Sequence, residues 1–139
     1  MEIIANAIQT VEENSNVLFT DAVTSGNCSI SHRVGSGLVT LRGLTCQSRA
    51  RYKVSFGGNI AIPTGGTVEA ISLAITIDGE PIQTTRMIIT PAAVEEYSNV
   101  FGAIFIDVPK GCCFSVSVQN VSEQSISVQN ANLIVERVA

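Results

Sequence analysis

The amino-acid sequence predicts an all-β protein, folded as a sandwich or closed barrel of about eight to ten antiparallel strands. Short apolar segments recur about every 8–14 residues, and turns rich in glycine and proline separate them. Within several segments, apolar and polar residues alternate with the period of two that a half-buried strand requires. No tandem repeat, linker or block of charge divides the 139 residues, so we expect one domain with a sizeable core.

Residues 97–106 depart from this alternation, because both faces of the predicted strand are largely apolar. One face carries Val100, Gly102, Ile104 and Ile106, and the other carries Tyr97, Asn99, Phe101, Ala103 and Phe105. A strand that is apolar on both faces needs a cover on each. The monomer core supplies one cover, and in a chain with few helix candidates a second copy of the chain supplies the other. We therefore predict that Tyr97, Phe101 and Phe105 lie in a subunit interface.

The first 16 residues are predicted to form an N-terminal arm or edge strand followed by a polar loop. The arm is apolar at Ile3, Ile4 and Ile8, and a short strand of this kind must pair outside its own segment. We therefore interpret these three isoleucines as docking residues and expect residues 17–139 to fold and assemble without them. Within that domain the first predicted elements are a strand at 17–20, a loop rich in Ser, Gly and Asn at 21–37 that contains at most one short strand, and a strand at 38–41.

Residues 50–56 alternate cleanly, which predicts a strand with one buried face. The residues expected in the core are Ala50, Tyr52, Val54 and Phe56. Gly57-Gly58 indicates a bulge or bend before a short strand at 59–62. A turn follows at 63–66, where proline fixes φ and glycine supplies a positive φ.

Residues 68–77 form the clearest predicted strand, and Asp78-Gly79 after it is a strong signal for a tight hairpin. The return strand is predicted at about 83–90. Residues 91–96 are predicted to form a single helical turn, which Thr90 caps and Pro91 begins. The remaining predicted elements are a turn at 108–111 and strands at 113–118 and 126–138.

Composition excludes several classes of protein. Charged residues make up only 14% of the chain and hydrophobic residues 45%, whereas soluble domains usually carry about 25% charged residues. This apolar excess predicts surface that is hidden in subunit contacts. No run approaches the roughly 20 apolar residues of a membrane helix, so we expect no membrane insertion. The net charge of −4 argues against nucleic acid as a partner.

The four cysteines are predicted to be free thiols that are buried as small apolar groups. The N-terminus lacks the basic region of a secretory signal, which predicts synthesis in a reducing cytoplasm where disulfides are rare. Cys112 and Cys113 are adjacent and point to opposite faces of a strand, so they cannot share a metal ion without distortion. Cys28 and Cys46 lack C-x-x-C spacing. We therefore expect no metal site.

The sequence offers no combination of residues that supports catalysis. His32 is the only histidine, and it is predicted to be exposed in a polar loop with no nucleophile motif near it. Glu95 and Glu96 are adjacent acids, but in a first helical turn they are more simply interpreted as a complement to the helix dipole. We therefore predict that the protein is not an enzyme and has no cofactor.

Taken together, these segments resemble a TNF/C1q-like jelly roll. The segments that carry the resemblance are 17–20, 49–57, 71–79, 97–106 and 133–138. The resemblance implies a single jelly-roll domain over residues 17–139 that assembles as a homotrimer. It also implies that the aromatic strand at 97–106 lines the three-fold axis, in agreement with its two apolar faces.

More specifically, residues 35–60 and 106–113 resemble small virion structural proteins of phages and prophages of gut Firmicutes. This resemblance implies a head-decoration or fibre protein that is assembled in the host cytoplasm and is located in the virion, with other capsid or fibre proteins as partners. Two alternatives remain open. One is a fibre tip that binds a host-surface glycan through loops 21–37 and 57–67, and the other is a bacterial surface or spore-coat trimer.

Overall fold

The computed structural model describes residues 1–139 and contains twelve β-strands and one three-residue 3-10 helix, Gln83–Thr85. The strands are β1 (Glu2–Ala5), β2 (Gln9–Val11), β3 (Asp21–Thr24), β4 (Ile30–His32), β5 (Val39–Arg42), β6 (Arg49–Ala61), β7 (Ile71–Ile77), β8 (Glu80–Pro81), β9 (Met87–Ile89), β10 (Ser98–Pro109), β11 (Cys113–Asn120) and β12 (Ile126–Arg137). The all-β prediction is confirmed. There are more strands than predicted because β2, β4, β8 and β9 have only two or three residues, too few to show a period of two.

The strands form two antiparallel sheets of six strands each. Sheet A has the order β10-β6-β12-β1-β3, with β2 also paired to β12. Sheet B has the order β4-β5-β11-β7-β8, with β9 also paired to β7. A single core of 28 buried hydrophobic residues, drawn from both sheets, fills the space between them. None of the chain's helical structure is long and apolar enough to cross a membrane.

Strand β6 is the longest strand, and its pattern was predicted correctly. The four residues expected in the core, Ala50, Tyr52, Val54 and Phe56, are fully buried. The bend predicted at Gly57-Gly58 is wrong, since β6 continues through both glycines to Ala61. The bulge lies instead in the neighbouring strand β12, between Gln129 and Asn132. A Cβ atom on Gly58 would lie 3.4 Å from the Cα of Ala131 in that bulge, so glycine permits the close approach of the two strands.

The hairpin after β7 is confirmed. Asp78 and Gly79 have φ values of 51° and 84°, the pair of positive angles that a type I′ turn requires. The return strand is interrupted, because the 3-10 helix separates β8 from β9. At this point the Thr85 hydroxyl accepts a hydrogen bond from the Ile75 amide of β7 at 3.0 Å. A side chain therefore provides the acceptor that a backbone carbonyl of a paired strand would normally provide.

Residues 17–20 do not form the predicted strand. The Val17 amide donates to the Val118 carbonyl of sheet B at 2.8 Å, and the Thr20 amide donates to the Ile4 carbonyl of sheet A at 3.0 Å. The segment therefore crosses from one sheet to the other and pairs with neither along its length. The following stretch, predicted as a loop with at most one short strand, contains the two short strands β3 and β4.

Residues 91–96 form turns and no helix, which corrects the prediction of a helical turn. Glu95 has a φ of 62°, which a right-handed helix cannot accommodate. Its carboxylate accepts hydrogen bonds from the Thr64 amide at 3.2 Å and the Thr64 hydroxyl at 2.9 Å. Glu95 therefore ties this segment to the turn at 63–66.

The N-terminal segment is part of the sandwich and is not a free arm. Strand β1 lies between β12 and β3 in sheet A, and Ile3 is fully buried in the core. Strand β2 pairs with the start of β12, where Val11 is also buried. The domain boundary predicted between residues 16 and 17 therefore divides one continuous core, and in the folded chain the Ile3 side chain has no surface with which to dock.

All four cysteines are free thiols, and all four are exposed. The prediction that they are buried is wrong, because it rested on the general preference of cysteine for the interior. Cys28, Cys46 and Cys112 lie in loops, and Cys113 is the first residue of β11. None of these positions faces the core.

Freshly purified protein should have the same melting temperature with and without a reductant. The reason is that no disulfide constrains the chain in either condition. Differential scanning calorimetry in paired samples would measure this directly. A fall of many degrees on adding the reductant would contradict the structure, because it would reveal a disulfide, typically worth about 2–4 kcal/mol.

Candidate subunit interface

The outer face of β10 carries the largest exposed hydrophobic side chains of the protein. Phe101 and Phe105 are 68% and 62% exposed, and Ala103 between them is also exposed. The alternate residues Val100, Ile106 and Val108 are buried in the core. The prediction of a strand with two apolar faces is therefore correct, and the face that carries the two phenylalanines is uncovered in the monomer.

Small residues lie beside Phe101 and Ala103 on sheet A, whereas Phe105 lies opposite Lys53 of β6. Phe101 is opposite Gly57 of β6, and Ala103 is opposite Ser55. Ser55 in turn pairs with Ile134 of β12, which is 41% exposed. Phe101 therefore projects from a surface of small residues, and Phe105 projects beside the Lys53 side chain. We call the surface formed by Phe101, Ala103, Phe105, Ser55, Gly57 and Ile134 the aromatic face.

The aromatic face lies at an edge of the sandwich, because β10 is the terminal strand of sheet A. A long edge strand presents unpaired backbone groups to solvent, and soluble monomers usually protect such edges with charges, prolines or bulges. Between Ser98 and Asp107 this strand carries no charged residue. Exposed aromatic rings beside an unprotected edge are typical of a surface that another protein covers.

Polar groups border the aromatic face at both ends. At one end, the Asn99 amide donates to the Asn59 side chain at 3.2 Å. At the other end, Arg51 makes two hydrogen bonds to Asp107, at 2.8 and 3.1 Å, and Arg49 lies 3.2 Å from the same carboxylate. The hydrogen bond from Arg51 is the main cause that lowers the pKa of Asp107. An apolar centre with a charged rim is the usual anatomy of a protein interface.

The other predicted contact residues lie in different environments. Tyr97 immediately precedes β10 and is half-buried. Ile4 is half-buried on the outer face of sheet A, in the same row of cross-strand neighbours as Phe101. Ile8 is 58% exposed between β1 and β2. Sequence reasoning missed Ile134, although its outward position follows from the same alternation in the last strand.

A second concave feature lies at the opposite edge of the sandwich, between β3 and β4. It is a cleft of about 320 Å³. Among the residues that line it are Met1, Ile3, Asn27, His32 and Val34. One of its polar side chains is engaged internally, because the Asn27 side chain accepts hydrogen bonds from the Ser29 and Ile30 amides. The side-chain carbonyl oxygen of Asn27 is therefore already used within the loop that it caps.

His32 is not the exposed loop residue that the sequence predicted. It ends strand β4 and is half-buried, with its ring edge against Phe19 at a centroid distance of 6.4 Å. Its Nε2 lies 2.9 Å from the Ser36 carbonyl oxygen. No group of three or more His, Cys, Asp or Glu side chains is arranged to hold a metal ion.

Comparisons with known proteins identify the fold. No protein-family model and no curated protein matches the chain. Among solved structures, the globular domain of zebrafish complement 1qA protein matches with a TM-score of 0.61 and 14% sequence identity, over 96% of this chain and 93% of that one. Murine APRIL matches with a TM-score of 0.64 and 10% identity, over 97% of both chains. The chain therefore has the jelly-roll fold of C1q and TNF-like domains, as the sequence resemblance implied.

Proposed function

We propose that the protein is a non-enzymatic structural module that assembles as a homotrimer through its aromatic face. The observation that carries this proposal is the exposure of Phe101 and Phe105 on an edge strand whose opposite face is in the core. Covering these rings removes apolar surface from water, at about 25 cal/mol per Å². The jelly-roll fold and the low charge content of the chain support the same conclusion.

A closed ring of three copies fits the geometry of this surface. The aromatic face is at one edge of sheet A, where the edge strand of one copy can pack on the sheet of the next copy. A contact in which the edge of one copy packs on the sheet of the next is heterologous, and it leaves no free surface when the ring closes. In the trimer implied by the sequence resemblance, three copies of β10 would surround the axis.

We further propose that the trimer is part of a bacteriophage particle, as a head-decoration or fibre protein. Support for this location comes from the resemblance of residues 35–60 and 106–113 to small virion proteins. Its partners would then be other capsid or fibre proteins, and its assembly would occur in the cytoplasm of the host bacterium.

Sedimentation equilibrium tests the assembly. We expect a single species with three times the 14.7 kDa mass of one chain at micromolar concentration. A monomer under these conditions would contradict the proposal. Dilution that dissociates the trimer exposes Phe101 and Phe105. The resulting monomer should bind a hydrophobic fluorescent dye more strongly than the trimer does.

Immunogold electron microscopy tests the location, with antibodies against the purified protein applied to phage particles released from the source bacterium. We expect label on the particle heads or fibres. Label confined to fibre tips would favour a receptor-binding role, for which the candidate surfaces are the parts of the two proposed loops outside strands, residues 25–29, 33–37 and 62–67. Label on cells or spores and not on particles would exclude a virion protein.

A further inference from the structure

All four cysteines of the chain lie at one end of the sandwich, in three loops that contact one another. They are Cys28 before β4, Cys46 between β5 and β6, and Cys112 and Cys113 at the start of β11. The Gly43 amide donates to the Cys112 carbonyl at 2.8 Å, and the Arg42 amide donates to the Ser29 carbonyl at 2.9 Å. We call this surface, with its four cysteines, the thiol end.

The exposure of these thiols distinguishes them from ordinary structural cysteines. Cysteine is among the residue types most often buried, yet none of the four is in the core. Because they do not fill space in the interior, packing does not account for their presence. Exposed thiols are accessible to disulfides in solution, and access is one of the factors that determine the rate of thiol–disulfide exchange.

The thiol end is also where the positive charge of the protein is concentrated. Five of the eight lysine and arginine residues belong to it, namely Arg42, Arg49, Arg51, Lys110 and Arg137. Asp78, Asp107 and Glu136 offset part of this charge, and the Asp78 carboxylate accepts a hydrogen bond from the Ser115 amide, two residues from Cys113. The opposite end carries acidic residues and no cysteine. These are Glu12, Glu13, Glu69, Glu95, Glu96 and Glu123.

Arg42 connects the positive charge to two of the thiols. Its Nη1 donates to the Cys28 carbonyl at 3.1 Å. In the register of β5 and β11, Arg42 is directly opposite Cys113, so the two side chains lie on the same face of sheet B, with Cβ atoms about 5 Å apart. A guanidinium group in this position can bind a carboxylate close to either cysteine.

We propose that the thiol end is a covalent modification site for low-molecular-weight disulfides that carry carboxylates. A cysteine thiolate attacks one sulfur of the disulfide, so that a protein–sulfur bond forms while the original sulfur–sulfur bond breaks. The second sulfur leaves as a thiolate and takes up a proton. The oxidation of the protein thiol is balanced by the reduction of this leaving sulfur, and excess thiol reverses the reaction.

The test compares two disulfides of opposite charge, glutathione disulfide and cystamine, with the full-length native protein. Intact mass spectrometry follows the rate of adduct formation, and peptide mapping identifies the modified cysteines. The ratio of the two rates is normalised to the same ratio in the denatured protein, which removes intrinsic differences in reactivity. We expect the normalised ratio to favour glutathione disulfide severalfold at low salt, to fall towards one at high salt, and to show Cys28 and Cys113 among the first sites.

Matched variants assign the preference to the thiol end. Arg42→Gln should lower the normalised ratio, whereas Arg33→Gln, which removes the same charge beyond the other end of β4, should not. Lys110→Gln provides a second test if Arg42→Gln fails to fold. The proposal is overturned if the native ratio equals the denatured one, if Arg33→Gln has the same effect as the thiol-end variants, or if oxidation yields only internal disulfides with no retained adduct.

Discussion

Replacing Phe105 with aspartate should convert the trimer into monomers that keep the native fold. In the trimer the new carboxylate and the Lys53 side chain opposite it would both be removed from water at the apolar centre of the contact, and this desolvation costs about 3 kcal/mol or more, or at least about a hundredfold in each association constant. In the monomer the same carboxylate lies opposite Lys53 of β6, where an opposite charge is favourable. Sedimentation equilibrium gives the mass, and circular dichroism reports whether the fold is retained.

Ile88→Asp is the matched control for this variant. Ile88 lies on β9 of sheet B and is 58% exposed, close to the 62% of Phe105, but it is not part of the aromatic face. We expect this variant to remain trimeric. If Ile88→Asp dissociates the protein and Phe105→Asp does not, the subunit contact is on sheet B and the proposed interface is wrong.

The fold class could be predicted because the evidence for it is local. The alternation in residues 50–56 identified four core residues, and the positive φ values of Asp78 and Gly79 are encoded in the two residues that form the turn. The exposed phenylalanines of β10 were found in the same way. Both alternating sets of residues in this strand are largely apolar, but the core of one monomer can bury only one of the two sets. The other set must therefore be exposed in the monomer.

The errors concern features that depend on distant partners. Residues 17–20 have the composition of a strand, but they cross between sheets and bond to Val118 and Ile4. Gly57 and Gly58 indicated a bend, although Gly58 serves the approach of the β12 bulge. The clustering of the cysteines at one end is likewise a result of topology, because positions 28, 46 and 112 are remote in sequence and meet only when the strands pair.

The role of the N-terminal isoleucines also depends on distant partners and could not be predicted from the local sequence. Variants of this segment give the second prediction with a large expected effect. Ile3→Ala should lower the free energy of unfolding by about 2–5 kcal/mol, because Ile3 is fully buried and its truncation leaves a cavity in the core. Removal of residues 1–5 should have a larger effect, since it also deletes the strand between β12 and β3 and exposes the edges of both. Urea denaturation at equal protein concentration measures these changes, and equal concentration is necessary because assembly itself adds stability.

Ile8→Ala makes the same substitution at the exposed position of the segment, where we expect a change within about 0.5 kcal/mol. The comparison separates the two interpretations of the N-terminus. If the segment belongs to the sandwich, the Ile3 and deletion variants lose stability in the purified protein, before any partner is present. If it is a docking arm, all variants unfold at the wild-type urea concentration and the deletion affects only attachment to the particle. The fully buried Ile3 and the hydrogen bond of 2.8 Å from the Val135 amide to the Met1 carbonyl support the first outcome.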